Sequence, residues 1–407
     1  MEVLHRKCAG LDIHKDTVVA CVRLMTGHKI VREVETFGTT TRELVRLAEW
    51  LTKHEVTIAV MEATGVYWKP VWHILEGHLE LVLANAHEVR NVPGRKTDVN
   101  DATWLADLIA HGLVRASFVP PEPIQDLRDL MRTRKQLARE IVEHTQRIQK
   151  VLENCNIKLS SVVSATLGVS SRAILDAIIR GETEPEKLAD LARGVLRAKR
   201  GLLVEALYGK VRDHHRFLLR QHLQLIEALE KTMAGIEAEV DKLLAPFDDA
   251  VERLQTIPGV GLTAARTIIA EIGLDMSRFP TAGHLRSWAG LCPRMDESAG
   301  KRKSTRVRKG AQWLKPVLVQ CAWSAVRRPG YLQSQFLRLR SRRGARKAII
   351  AVAASILGAA YAILKDRQVY RDLGADYFSR NDRMRVVTKL TRRLRQLGYE
   401  VELRAAA

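Results

Sequence analysis

The sequence has few cysteines, and the five it has (Cys8, Cys21, Cys155, Cys292 and Cys321) are scattered along the chain. None stands in a Cys-x-x-Cys pair or at a Cys/His zinc spacing, which argues against both a zinc site and a disulfide framework. Reduced core thiols in a cytoplasmic protein are the expected state. Long apolar runs are equally scarce. The longest uncharged stretch, Ala348 to Leu364, is alanine-rich and short of a usual span, so it reads as a buried helix. The polar opening from Met1 to Lys7 does not read as a secretory leader. There is no internal repeat, no low-complexity segment and no G-x-x-x-x-G-K-[ST] phosphate loop, so ATP-driven chemistry is not expected.

Acidic residues are also in deficit. Lys and Arg number 66 against 46 Asp and Glu, a formal charge of +20 over 407 residues. Such a surplus favours a polyanionic partner, because neutralising phosphates releases condensed counterions. Between Arg294 and Lys347 stand 16 basic residues and only two acids, Asp296 and Glu297, so this segment carries +14 of the total. Concentrated in this way, the charge reads as a binding face rather than a uniformly solvated surface.

What is present organises into two halves. Cys8–Ile13, Thr17–Leu24 and Ile30–Glu35 read as strands, with a turn at Thr26-Gly27-His28. Helical spacing follows over Thr41–Lys53, then a strand at Val56–Met61, a helix at Tyr67–Leu75, a strand at Leu79–Ala84 and a helix from about Thr97 to His111. This order fits an α/β RNase H-like sheet, and equally another doubly wound domain. Past Pro120-Pro121-Glu122-Pro123 the pattern turns helical. A heptad on Leu127, Leu130, Leu137, Ile141, Ile148 and Val151 is broken by Arg134 and His144 at core positions; a cleaner one runs Ile226, Leu229, Met233, Ile236, Val240, Leu243. Two such helices with a helical insert between them suggest an antiparallel hairpin or a dimerisation arm. The expected division is 1–118 for the α/β domain, 119–250 for the coiled-coil insert, 251–366 for a compact helical domain and 367–407 for a basic tail, helical over Leu390–Leu397 and extended over Tyr399–Leu403.

The α/β half carries an acidic constellation. Asp12 alternates with the apolar Leu11 and Ile13, so its carboxylate faces away from their packing. Glu62 ends an apolar strand, where open α/β sheets place ligand sites. Asp98 and Asp101 share a helix face at i and i+3, although two acids in a first turn also suit helix capping and the macrodipole. Asp107 falls on the opposite side of that helix and is excluded from the site. Four carboxylates in one cleft would repel unless cations held them, and two Mg²⁺ ions meet that need.

The helical half offers two features. Ile257-Pro258-Gly259-Val260-Gly261 resembles a helix-hairpin-helix turn, whose backbone N–H groups can hold a DNA phosphate; a tight glycine turn between packed helices is the equal alternative. Ser298 lies in a stretch expected to be flexible, with Arg294, Lys301, Arg302, Arg306 and Arg308 around it. A loop serine is ordinarily just polar, no His–Asp partner stands nearby, and a hydroxyl needs activation to attack. The acidic residues supply that activation if the two domains meet.

With these residues in view, the chain resembles the DEDD transposases of bacterial insertion sequences, the bridge-RNA-guided serine recombinases. The resemblance rests on Gly10-Leu11-Asp12, Met61-Glu62-Ala63-Thr64-Gly65 and Lys96-Thr97-Asp98-Val99-Asn100-Asp101-Ala102 in the first half, and on Ile257-Pro258-Gly259-Val260-Gly261, Leu291-Cys292-Pro293 and Ser298 with Gly300-Lys301 in the second. It implies an α/β RNase H-like (RuvC-like) N-terminal domain, a long coiled-coil helical insert and an all-α C-terminal transposase domain. It further implies Asp12, Glu62, Asp98 and Asp101 as a Mg²⁺-binding tetrad, and Ser298 as the nucleophile. The implied partners are donor and target DNA, a non-coding guide RNA that reads sequence by base pairing, and copies of the chain itself as dimer or tetramer, in the bacterial cytoplasm and on the nucleoid during activity. Relatives often carry a second serine and a second glycine where this chain has Asp296-Glu297-Ser298-Ala299. Two other readings stay open at this point: a RuvC-like nuclease that activates water and leaves Ser298 incidental, and a non-catalytic nucleic-acid-binding scaffold.

Overall fold

A computed structural model describes residues 2–63, 65–85, 89, 101–293, 296–298, 300–304, 306–307, 310–380 and 383–403. Asp98, Arg294 and Arg308 lie outside these residues. The chain gathers into two compact units, residues 1–119 and 120–407.

The first unit is a five-stranded mixed sheet with helices on both faces. Strands β1 (Lys7–Ile13), β2 (Thr17–Thr26) and β3 (Lys29–Gly38) run antiparallel, followed by helix α1 (Thr41–Lys53), β4 (Ile58–Glu62), α2 (Trp68–Leu75), β5 (Glu80–Ala84) and α3 (Asp101–Ala110). The strand order is β3-β2-β1-β4-β5, with β4 parallel to both β1 and β5. This topology is compatible with an RNase H-like domain.

Local sequence accounts for each turn of the chain. Thr26 pairs with Lys29, leaving Gly27-His28 as a two-residue hairpin loop, and Gly27 takes the positive φ of 62° that such loops need. β3 is an edge strand, and Lys29, Arg32, Glu33 and Glu35 keep that edge from pairing with another chain. On α1, Leu44, Leu47, Ala48 and Leu51 form the buried stripe that the helical spacing predicts.

Alternation along the central strands divides the core in two. Ala9, Leu11, Ile13, Ala59 and Met61 pack with Leu44, Leu47, Leu51, Val71 and Leu75 of α1 and α2. On the opposite face Cys8, Ile58, Val60, Val82 and Ala84 pack with Leu105, Leu108 and Ile109 of α3. Burial pushes the Cys8 thiol up to about 11, so it stays protonated at neutral pH, as a core thiol should.

The second unit is almost wholly helical. Helix α4 (Glu122–Asn154) leads into the short helices α5 (Leu159–Val162), α6 (Val169–Arg180), α7 (Pro185–Asp190) and α8 (Arg200–Ala206), and the chain returns along α9 (Asp213–Leu244). α4 and α9 run antiparallel: Arg134 donates to Glu237 at 2.7 Å, and about three turns further along α4 His144 meets His222 at 3.1 Å. The residues that break the first heptad are thus the polar cross-links of the pair. Ile148, Leu152, Ile174, Ile178, Leu203, Leu219 and Ile226 close a separate core at the far end.

Beyond α9 come α10 (Asp248–Gln255), α11 (Leu262–Ile272), α12 (Ala282–Trp288), strands β6 (Asp296–Ser298) and β7 (Lys301–Ser304), α13 (Leu314–Ala325), α14 (Tyr331–Arg343), α15 (Ala345–Asp366), α16 (Tyr377–Arg380) and α17 (Arg383–Gln396). α15 is, among the described residues, the one helix long and apolar enough to cross a membrane. It serves instead as the central core helix, with Ala348, Val352, Ala353, Ile356 and Leu357 all buried. Tyr399–Leu403, expected as extended, forms no strand.

Candidate active site

Two neighbouring strands and one helix position the acidic residues. The parallel register pairs Gly10 with Val60 and Leu11 with Met61, which sets Asp12 and Glu62 side by side at the C-terminal ends of β1 and β4. Because side chains alternate, both carboxylates belong to the face of Gly10 and Val60, not to that of the apolar Leu11 and Met61. α3 covers this same face, and Asp101 is its first residue.

Gly10 explains why α3 can lie so close. A Cβ there would stand 2.1 Å from the carbonyl oxygen of Ala102 and 2.5 Å from the amide nitrogen of Ala106. Only a residue without a side chain lets the helix backbone approach in this way. The glycine of the Gly10-Leu11-Asp12 motif therefore brings the start of α3, and Asp101 with it, down onto the strand that carries Asp12.

Asp12, Glu62 and Asp101 are all half-buried. His14, a residue the sequence reading passed over, places its Nε2 3.3 Å from Asp12 Oδ2. Among the described residues no group of three His, Cys, Asp or Glu side chains is gathered tightly enough to hold a metal ion, and Asp98 lies outside them. The chemistry of the donors is nonetheless of one kind. Carboxylate oxygens at the ends of neighbouring strands, without a thiolate among them, suit a hard divalent cation such as Mg²⁺. Asp107 is held elsewhere: it accepts from Arg23 Nε at 2.9 Å and from Arg32 Nη2 at 2.9 Å, and Arg23 is only 1% exposed.

Ser298 ends β6, paired with Lys301 of β7. The stretch expected to be flexible is thus a β-hairpin, with Gly300 at φ 72° in its turn and a further bridge from Pro293 to Val307. A run as charged as Lys301-Arg302-Lys303 hides the alternation by which strands are recognised. Lys301 and Arg306 are exposed on this hairpin, and Arg302 lies in β7.

The Pro258-Gly259-Val260-Gly261 turn stands at the N-terminus of α11. Gly259 has φ 84°, and a Cβ there would meet the Cys321 carbonyl at 2.3 Å and the Ala325 amide at 2.7 Å on α13. Its absence of a side chain is accounted for by helix packing. Gly261 caps α11 with open space around its α-carbon. Together they line one side of a cleft completed by Arg328 and Asp372.

Comparison with known proteins meets both ends of the chain. A DEDD-type model of IS110 elements, described as "Transposase", matches residues 9–157, and a model described as "Transposase IS116/IS110/IS902 family" matches residues 251–338. The chain is 25% identical over 379 residues to the "Transposase for insertion sequence element IS1111A" of Coxiella burnetii, covering 90% of this chain and 91% of that protein. It is 24% identical to the "Insertion element IS110 uncharacterized 43.6 kDa protein" of Streptomyces coelicolor and 25% identical to the "Transposase for insertion sequence element IS1328" of Yersinia enterocolitica, each match covering 68% of this chain and 73% of the relative.

Proposed function

The chain belongs to the DEDD transposases of bacterial insertion sequences, enzymes of DNA recombination, and from that premise we propose that it cuts and rejoins DNA through a covalent serine–DNA link. The observation that carries the reading is that Asp12 and Glu62 stand on one sheet face at the C-terminal ends of the adjacent parallel strands β1 and β4, with Asp101 at the start of the helix covering that face.

In this proposal Ser298 Oγ attacks a backbone phosphorus. The new Ser–O–P bond forms as the bond to the 3′ oxygen breaks, and the hydroxyl proton ends on that oxygen as a free 3′-OH. Reversal of the attack by an exchanged strand restores the phosphodiester and frees the serine. The ester bond is kept throughout, so no nucleotide hydrolysis is needed. Asp12, Glu62, Asp98 and Asp101 would hold Mg²⁺, which when bound supplies charge stabilisation at the reacting phosphate. Gly261, Lys301, Arg302 and Arg306, with Gly259, Arg294 and Arg308, are assigned to nucleic-acid contact on charge and position.

A non-coding guide RNA is the proposed reader of sequence, which suits a basic chain in which no major-groove reading motif is recognisable. The α4–α9 pair is the proposed coiled coil, acting in a bacterial cytoplasmic assembly of two or four copies. The alternative of metal-activated water makes Ser298 dispensable. Ser298→Ala assayed for strand cutting and joining separates the two: loss of both supports the serine, whereas cutting at the normal rate overturns it.

A further inference from the structure

A second site lies wholly within the helical unit, between α4, α11 and the start of α13. Its centre is Trp313, half-buried at the N-terminus of α13. Three cationic side chains from successive turns of α4 surround the indole: Arg132, Lys135 and Arg139 stand 5.5, 5.6 and 5.6 Å from its ring centroid. Met131, Val142 and Val317 supply apolar wall beside it.

Cations near an indole are common, and one would need no further explanation. The charge balance here differs. Arg132 is neutralised, since its Nε and Nη2 donate to the buried Glu271 carboxylate at 2.8 and 2.9 Å. Lys135 and Arg139 have no carboxylate in ion-pair contact among the described residues; Lys135 Nζ donates only to the Trp313 carbonyl, at 3.1 Å. Burial and the neighbouring Arg139 both hold the Lys135 ammonium below its usual range. The fold therefore keeps two positive charges without an ion-pair partner among the described residues beside a flat aromatic ring, in a solvent-open cleft whose lining also holds Glu143 and the already paired Glu271. An anion carrying a planar group relieves that arrangement, and Trp313 lies within the segment that bears +14 of the net charge.

We propose that this pocket holds one unpaired nucleotide of a single-stranded nucleic acid, its base against Trp313 and its phosphate on Lys135 and Arg139. A paired base stays stacked inside its duplex and does not reach the ring, so the site selects single strand over double. An acidic peptide would satisfy the charges but leaves the aromatic platform unused. The inference shares with the proposed function only the class of partner, and it requires neither Ser298 nor the carboxylates.

The test is fluorescence anisotropy of the full chain with short labelled single-stranded DNA, single-stranded RNA and duplex DNA, in chelator so that no cutting or joining contributes. Trp313→Leu is expected to weaken single-strand binding about tenfold, a typical loss for one stacking contact, and to change duplex binding less than about twofold. Trp313→Phe keeps most of the affinity. Arg139→Gln, at an exposed position safe for folding, weakens single-strand binding several-fold and lowers its salt dependence by about one phosphate contact. Weakening with RNA alone, DNA alone or both names the source. Unchanged single-strand binding in Trp313→Leu and Arg139→Gln overturns the site, as does an acidic peptide that displaces the single strand at equal charge. Ser298→Ala binds normally in this assay, so failure of the serine mechanism and failure of this site are told apart.

Discussion

Arg132 and Glu271 form a two-point ion pair, Nε to Oε1 at 2.8 Å and Nη2 to Oε2 at 2.9 Å, that fastens α4 to α11 across more than a hundred intervening residues. Arg128 adds donations to the backbone carbonyls of Ala270 and Glu271 at 3.1 and 2.8 Å. The first family match ends in the turn beyond α4 and the second contains α11, so this pair joins the two matched regions inside one unit.

Glu271 is 4% exposed, and removing its charge leaves Arg132 without the carboxylate that pairs it in a partly desolvated place. Glu271→Ala is expected to destabilise the helical unit by about 3 kcal/mol. Thermal unfolding of the full chain reads this; a midpoint equal to wild type would mean the pair is incidental to stability.

Gly10→Ala tests the close approach of α3 to β1. The added methyl collides with backbone rather than with a flexible side chain, so the helix must shift away from the sheet. The expected cost is about 1–3 kcal/mol, with recombination lost beyond what the stability change explains because Asp101 moves with the helix. Activity intact in a destabilised variant would separate Gly10 from the site.

Two acids on the same helix should fail differently. Asp101→Asn is expected to keep stability within about 1 kcal/mol, the scale of a first-turn acid, while lowering strand joining at least about a hundredfold. Asp107→Ala leaves the buried Arg23 without a counter-charge and is expected to cost about 3 kcal/mol. Calorimetry and a joining assay on both variants check the contrast.

The histidine contact between α4 and α9 gives the fold a pH dependence of definite sign. Burial, then His144 and Arg147, hold the His222 imidazole below its usual value. The unfolded chain therefore takes up this proton first, near pH ~6.5, and stability falls as pH drops through that value, levelling only below the folded one. His215, depressed chiefly by burial, adds in the same direction. Melting temperatures between pH ~7.5 and ~5.5 should fall less steeply in His222→Gln than in wild type; equal slopes would remove His222 from the account.

Much of this was legible in the sequence, for physical reasons that differ by element. The amphipathic stripe of α1 and the alternation of β1 and β2 have the period of their secondary structure, and the boundaries follow within a few residues. Asp12 and Glu62 were legible because each breaks or ends an apolar strand. Strand order was not, since parallel pairing of β1 with β4 depends on contacts distant in sequence. The β6–β7 hairpin was hidden by its charge. The Trp313 pocket was hidden because its cations come from α4 and its ring from the start of α13, far apart in the sequence.

The proposed mechanism requires that Ser298 become covalently joined to DNA. Full-length protein is incubated with labelled donor and target DNA, guide RNA and Mg²⁺, denatured, and run on a gel beside Ser298→Ala. A labelled band at the mass of protein plus DNA is expected in the wild type, absent in the variant and in Asp12→Asn. Normal cutting and joining by Ser298→Ala, or an adduct that maps to another residue, would contradict it.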